Sequence, residues 1–480
     1  MAGLFKFRRT QTDAAGGSVA PQPTTTNAPA ERAADVVIVG AGLAGLTAAR
    51  RLVAQGVDVL VVEARDRVGG RTYTRPAKDG TLLDLGGQWV GPMQSQILAL
   101  AQEVGSTIFP MYNTGNNIQQ VRGERHTYSG AIPMADPMAT MEAVEQMLNL
   151  STMAQVVPLE APWDAPLVAE WDAQTVETWM QANVTEPGAQ ALLTLAVRAV
   201  FSVEPRDLSL LHMLFYIHSA GNLNNLVGVT RAAQESRFHE GAQSVSNKVA
   251  QALGERVILN TPVRSVFQDD AGVRVVGETL SVRAQRAIIA IPPTLAGRLH
   301  YQPLLPALRD QMTQRMPMGT VIKVQCVYPT PFWRADGFSG QVTCDSAMVS
   351  ITYDNSPESG AAGVLLGFVE GDEGRRWGDR DPAERRAAAL HCFVDYFGPQ
   401  AAEPIDYVEQ IWSREEFSRG CYAGYFGPGG WTMYGKALRE PIGRLHWAGT
   451  ETATVWNGYM DGAVQSGYRA ADEIMAALGR

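Results

Sequence analysis

The first residues that could do chemistry here are glycines. Gly40-Ala41-Gly42-Leu43-Ala44-Gly45 is a GxGxxG turn that follows the apolar run Val36-Val37-Ile38-Val39. A second apolar run, residues 57–62, ends on Glu63. Strand, glycine turn, helix and terminal carboxylate form the dinucleotide fingerprint in its βαβ setting. Gly40 permits the tight turn, Gly42 lets the backbone approach a pyrophosphate, and Gly45 lets the helix pack on the strand. The helix start around Ala41 and Ala44 offers unpaired N–H groups to phosphates. Glu63 would accept hydrogen bonds from a ribose diol. An adenine dinucleotide is therefore expected, and the redox chemistry would be the cofactor's.

Two more glycine-rich stretches follow. Ala64-Arg65-Asp66-Arg67-Val68-Gly69-Gly70-Arg71 suggests a second close approach to the phosphates, with Arg71 as a charge partner. Gly86-Gly87-Gln88-Trp89-Val90-Gly91 adds a third turn. So many glycine turns exceed what a nicotinamide cofactor needs and point to an extended FAD. Lys323 lies inside the apolar strand pattern 320–328, where a lysine must find a partner or lose its charge. No Ser-His-Asp or paired-carboxylate arrangement suggests hydrolysis. The seven histidines are scattered, and the four cysteines are too far apart to predict a metal site or a disulfide framework.

The elements that must position these groups are legible in outline. A chain of 480 residues is long enough for two domains. Its net charge of −9 argues against a nucleic-acid binder. No apolar run approaches the roughly 18–20 residues that span a bilayer. Residues 1–34 are rich in Gly, Ala, Thr, Pro and Gln and read as a disordered tail; Lys6 to Arg9 has no following apolar segment and is not a secretory signal. A cytoplasmic protein is expected. Residues 175–217 carry helical apolar spacing, and residues 256–290 read as short strands returning to the first sheet. The stretch 445–464 reads as strand, glycine turn and the start of a long C-terminal helix.

Across these residues the chain resembles the flavin monoamine oxidases, over everything after the tail. The matching stretches are 36–74, Gly86 to Gly91, Ala161-Pro162-Trp163-Asp164-Ala165-Pro166-Leu167, Met318 to Lys323, Pro331-Phe332-Trp333-Arg334, Gly420-Cys421-Tyr422 and 448–460. The last contains Gly449-Thr450-Glu451-Thr452-Ala453-Thr454 and Trp456-Asn457-Gly458-Tyr459-Met460 and is highly specific. The resemblance is closer to animal-type monoamine oxidases than to polyamine or amino-acid oxidases, without their C-terminal membrane helix. It implies an α/β (mixed α+β) fold: a Rossmann-like FAD-binding domain of the GR2 type, interleaved with a substrate domain of mixed sheet plus helices. The FAD domain would comprise 35–107, 239–312 and 415–480, and the substrate domain 108–238 and 313–414.

The resemblance also assigns roles. Lys323 would reach the reactive flavin nitrogen through a water and govern reactivity with oxygen. Tyr422 and Tyr459 would form an aromatic cage that guides a neutral amine. Cys421 matches the cysteine that forms a thioether to the flavin ring, so covalent FAD is an expectation. Gln234 matches a substrate-pocket glutamine, and Ala199, Val227 and either Ile351 or Tyr353 fall near the constriction between entrance and substrate cavities. Val263 and Trp412 would be further FAD contacts, beside Gly449, Thr450, Glu451, Gly458 and Met460. The implied reaction is oxidation of primary (or secondary) amines with O2 as acceptor and hydrogen peroxide as product, with arylalkyl or cycloalkyl amines favoured. A putrescine-type diamine oxidase is the alternative, although no carboxylate can be placed at the far end of the pocket. A non-catalytic flavin-binding protein is a second alternative, and a homodimer is left open.

Overall fold

Side-chain alternation decides how the apolar runs are shared between layers. Every residue of the strands Val36–Val39 and Val59–Val62 is buried. Val36, Ile38, Val59 and Val61 pack with the helices Leu43–Ala54 and Met460–Ala477, while Val37, Val39, Leu60 and Val62 pack against a second sheet. Strands covered on both faces belong inside a parallel sheet. The computed structural model, which describes residues 29–130 and 136–480, contains that sheet. Its order is Val257–Ile258, Val59–Val62, Val36–Val39, Arg286–Ile289 and Leu445–Trp447, all parallel. After Val59–Val62 the chain leaves this sheet for other sheets three times and returns each time.

The second sheet is the meander of Val263–Gln268, Val273–Gly277 and Leu280–Ala284, with His300–Gln302 at one edge. Ala30–Ala33 closes the other edge, in parallel with Leu280–Ala284. This corrects the expected tail 1–34: residues 1–28 lie outside the described residues, but 30–33 form a strand. Its four side chains are exposed, so no apolar pattern marked it; sheet-edge hydrogen bonds hold it.

A seven-stranded sheet carries Lys323. Its order is Asp406–Ile411, Val321–Tyr328, Gly363–Glu370, Ile351–Asp354, Phe338–Cys344, Asn116–Val121 and Glu124–Tyr128. In Val321–Tyr328, Ile322, Val324, Cys326 and Tyr328 pack toward the helix Pro382–Phe397. Period two then turns Val321, Lys323, Gln325 and Val327 to the opposite face. The helices Pro137–Ala154, Val176–Asn183, Pro187–Phe201 and Leu210–Ser219 pack into a separate apolar cluster. The short strand Ser236–Phe238 joins Trp89–Val90 to Ile108–Pro110 and ties the two halves of the chain together.

Among the described residues no helix is long and apolar enough to cross a membrane, and no cluster of His, Cys, Asp and Glu could hold a metal ion. All four cysteines are free and buried.

Candidate active site

The glycine turn is built as its residue types require. A Cβ on Gly45 would lie 2.0 Å from the Gly40 carbonyl oxygen, so helix and strand touch there without a side chain between them. A Cβ on Gly42 would meet nothing within 4 Å. The helix Leu43–Ala54 has no side-chain N-cap and no acidic residue in its first turn. Its orphan N–H groups and the open side of Gly42 leave a cradle for an anionic group. Glu63 stands beside it, with its two carboxylate oxygens accepting from Ala41 N at 2.7 Å and Arg65 N at 3.0 Å.

One cavity runs from this turn to the seven-stranded sheet. Gly40, Gly42, Ala44, Glu63, Ala64 and Arg65 line its first end, with Val263. Gly70, Arg71, Gly87 and Gln88 line its middle, together with Cys421, Gly449, Thr450, Gly458 and Met460. Lys323, Tyr422, Tyr459, Ala199 and Gln234 line the far end. Residues more than 400 positions apart in sequence thus face one space.

Six expected residues do not reach the wall. Ala41 acts through its N–H on Glu63, and Gly45 sits in the helix–strand contact. Trp412 lies behind Gly86, with its indole N–H donating to Leu85 O at 2.9 Å. Glu451 is buried and accepts from both Arg71 guanidinium nitrogens, at 2.6 and 3.0 Å, and from Gly424 N at 3.0 Å. It holds Arg71, whose charge is thereby committed to a protein carboxylate rather than left free for phosphate. Val227 ends a short helix and packs on the helical cluster; Val229, two residues on, reaches the apolar group around Ala199 and Tyr422 instead. Ile351 packs within that same group, one layer behind the wall.

Lys323 is fully inside the protein. Its ammonium donates to Gly86 O at 2.8 Å and to Gln88 Oε1. Gln88 Nε2 donates onward to Asn355 Oδ1 at 2.7 Å, which also accepts from Arg237 at 2.6 Å. Asn355 Nδ2 donates to Gln325 Oε1 at 2.8 Å. Burial lowers the Lys323 pKa to about 7; Asp84 opposes the shift and Arg237 adds to it. Lys323 is therefore poised to gain or lose a proton near neutrality.

The two tyrosines are braced from behind. Tyr459 packs edge-on against Trp456 at 5.1 Å and near Tyr216 at 6.0 Å. Tyr422 meets Phe368 edge-on at 6.2 Å, and its hydroxyl donates to Glu370 Oε1 at 2.8 Å. Gln234 donates to Leu226 O at 2.8 Å, while its buried amide oxygen has no partner within the protein. Cys421 is buried, and burial pushes its thiol up to about 12.

The family follows from comparison. Residues 43–475 match the model of flavin containing amine oxidoreductases. The chain belongs to this family. A protein of Mycobacterium tuberculosis named as flavin-containing monoamine oxidase AofH is 41% identical over 92% of this chain and 97% of its own. The flavin-containing amine oxidase A of Equus caballus is 37% identical over 93% of this chain and 86% of its own. Among solved structures, putrescine oxidase bound to putrescine superposes with a TM-score of 0.90 at 36% identity, covering 93% of this chain and all of that one. Cyclohexylamine oxidase from Brevibacterium oxydans gives 0.89 at 34% identity, covering 93% and 100%. The chain is thus a flavin-dependent amine oxidase, and its cofactor is FAD. The uncapped helix start and the open Gly42 fit that cofactor's pyrophosphate.

Sequence reasoning missed part of this site. Tyr216, Trp89 and Phe368 also line the cavity. Tyr216 gave no signal, because a tyrosine within an apolar helix reads as core. Glu370 did give one: it is the lone carboxylate closing the buried strand Gly363–Glu370.

Proposed function

We propose that this oxidase acts on hydrophobic primary amines of the arylalkyl or cycloalkyl type, and also on secondary ones. The observation that carries the reading is the composition of the cavity's far end. Tyr422, Tyr459, Tyr216, Phe368, Trp89 and Ala199 present rings and a small apolar side chain there. Such walls favour an apolar amine body, and the ring faces favour its N–H groups. The unpartnered Gln234 amide oxygen is an acceptor for an amine hydrogen.

When bound, FAD supplies the two-electron acceptor chemistry. The protein's part is to bind the free amine between Tyr422 and Tyr459, orient its α-carbon and exclude water. The amine becomes an imine, which hydrolyses to an aldehyde or ketone plus ammonia, while O2 is reduced to H2O2. Lys323, with its exchangeable proton, serves the oxygen-dependent half of the reaction.

Peroxide release from benzylamine, phenethylamine, tyramine, cyclohexylamine and putrescine tests this reading. The aromatic and cycloalkyl amines are expected to exceed putrescine by about tenfold or more in kcat/KM, since a second ammonium would be stranded among rings. Putrescine as the best substrate would reverse it. That second reading draws on the likeness to putrescine oxidase and on the buried Glu370 behind Tyr422.

We also propose that Cys421 tethers the cofactor through a thioether. Its place on the cavity wall supports this. Burial holds the sulfur as a thiol, so the bond would replace that S–H and one C–H of the flavin ring's methyl group, with the two electrons passing to the flavin and on to O2. Acid precipitation should leave the yellow colour in the pellet, and Cys421→Ala should release it to the supernatant. A colourless wild-type pellet would exclude the bond.

A further inference from the structure

Glu370 is the one buried carboxylate bonded directly to a cage tyrosine in the described residues. It closes the strand Gly363–Glu370, two positions after the cavity-lining Phe368. Oε1 accepts the Tyr422 hydroxyl at 2.8 Å, and Oε2 is buried without a partner. The ionisable groups that act on it come from two sides. Tyr422 and Tyr353 come from the cavity side, and Arg198 and Glu204 from the helix Pro187–Phe201 and the loop after it. Arg198 is already paired with Glu204 at 2.9 Å, so its charge is largely answered. The Glu204 carboxylate is further tied to Asp372 N at 2.9 Å.

We propose that Glu370 is a positioning residue for the amine cage: it fixes the Tyr422 ring through the hydroxyl and sets, by its own charge, how strongly that ring binds the substrate amine. This rests on the reading of Tyr422 as a cage residue. An ionised carboxylate accepts the phenol proton more strongly than a neutral one. The stronger bond shifts electron density into the ring and makes its face more negative toward the amine N–H groups. Burial pushes the Glu370 carboxyl up to about 8, so this change falls within the range where the enzyme can be assayed. The carboxyl is neutral below that value and ionised above it.

The test uses binding, with holoenzyme and α,α-dimethylbenzylamine, which has no α-hydrogen and is not oxidised. Its Kd is measured by calorimetry from pH 6.5 to 9 for wild type, Glu370→Gln, Tyr422→Phe and the double variant. Gln accepts the same hydrogen bond but never ionises. The ratio of Glu370→Gln to wild-type Kd cancels the titration of the amine itself. That ratio should be near one at pH 6.5 and rise to roughly three- to tenfold at pH 9. Glu370→Gln should add nothing in the Tyr422→Phe background. A ratio that does not change with pH overturns the proposal, and so does a full Glu370→Gln effect in the absence of the Tyr422 hydroxyl. Should Tyr422→Phe and Glu370→Gln both leave Kd unchanged while Tyr422→Ala also binds normally, the cage reading falls with it.

Discussion

Replacing Lys323 by Met separates the lysine's chemical role from its structural one. The lysine is an expensive residue to bury. Its pKa falls from 10.5 to about 7, which corresponds to roughly 4–5 kcal/mol against the charged form. The sign follows from proton counting. Between about pH 7 and 10.5 the unfolded chain binds the proton and the folded one does not, so stability rises with pH across that window. Below pH 7 both states are charged and the full penalty is present. Lys323→Met removes that penalty and packs an apolar side chain near Trp89 and Phe368, whose ring centroids lie 5.8 Å from the ammonium. It also strands the Gly86 carbonyl and the Gln88 amide oxygen, at about 1–3 kcal/mol each. These effects nearly cancel, so the variant should fold, with a stability within about 2 kcal/mol of wild type at pH 7. Reactivity should not be so forgiving. A unit charge about 4 Å from developing negative charge is worth about 4 kcal/mol at an effective dielectric near 20. Half-occupancy of the proton and relaxation reduce this to ~2–4 kcal/mol, or about thirty- to a thousandfold in rate. The assay reduces the enzyme anaerobically with amine, then mixes it with oxygen in a stopped-flow instrument from pH 6 to 9. Wild-type reoxidation should slow as pH rises through about 7, where Lys323 loses its charge; the variant should be slow and flat. Equal reoxidation rates, or an unchanged pH profile in the variant, would refute the role given to Lys323.

The two fingerprint glycines should separate folding from cofactor binding. Gly45→Ala places a methyl group 2.0 Å from a backbone oxygen and should abolish soluble holoenzyme. Gly42→Ala meets no protein atom, so the apoprotein melting temperature should hold within a few degrees while FAD affinity falls by about tenfold or more. Equal damage from both, measured by melting and flavin content, would contradict the open cradle. Glu451→Gln removes the charge partner of the half-buried Arg71 from a fully buried carboxylate position and should cost about 2–4 kcal/mol by denaturant unfolding. Arg71 and the hydrogen bond from Gly424 hold the Glu451 carboxyl below its ordinary range, against its burial. Its contribution is therefore present above the unfolded carboxyl pKa and lost as pH falls through the folded one, and the variant should lose that part of the acid sensitivity.

The parts of the site carried by local sequence were legible in it. Gly40, Gly42, Gly45 and Glu63 are set by what one turn and its flanking strands can do, and period-two alternation placed Lys323 in a buried strand. Local pattern could not say which wall a residue reaches. Trp412 and Ile351 stand a layer behind the cavity, and Val229 rather than Val227 reaches its apolar surround. A shift of one or two residues in a short helix changes which side chain faces inward, and sequence spacing does not resolve it. The strand Ala30–Ala33 was likewise hidden, because edge pairing is made by backbone groups that carry no side-chain signal.

The sequence by itself determined the strand, glycine turn and helix of a dinucleotide fingerprint at Gly40–Gly45, and its motifs carried the resemblance to amine oxidases. The tertiary structure decided the company those groups keep. Arg71 belongs to Glu451, Lys323 to Gln88 and Gly86, and Tyr422 to Glu370, across separations of 380, 235, 237 and 52 residues. Such pairs set charge and orientation in the site. They form only because three sheets and a helical layer bring distant segments together in a dry interior, where each polar group must find a partner or shift its proton.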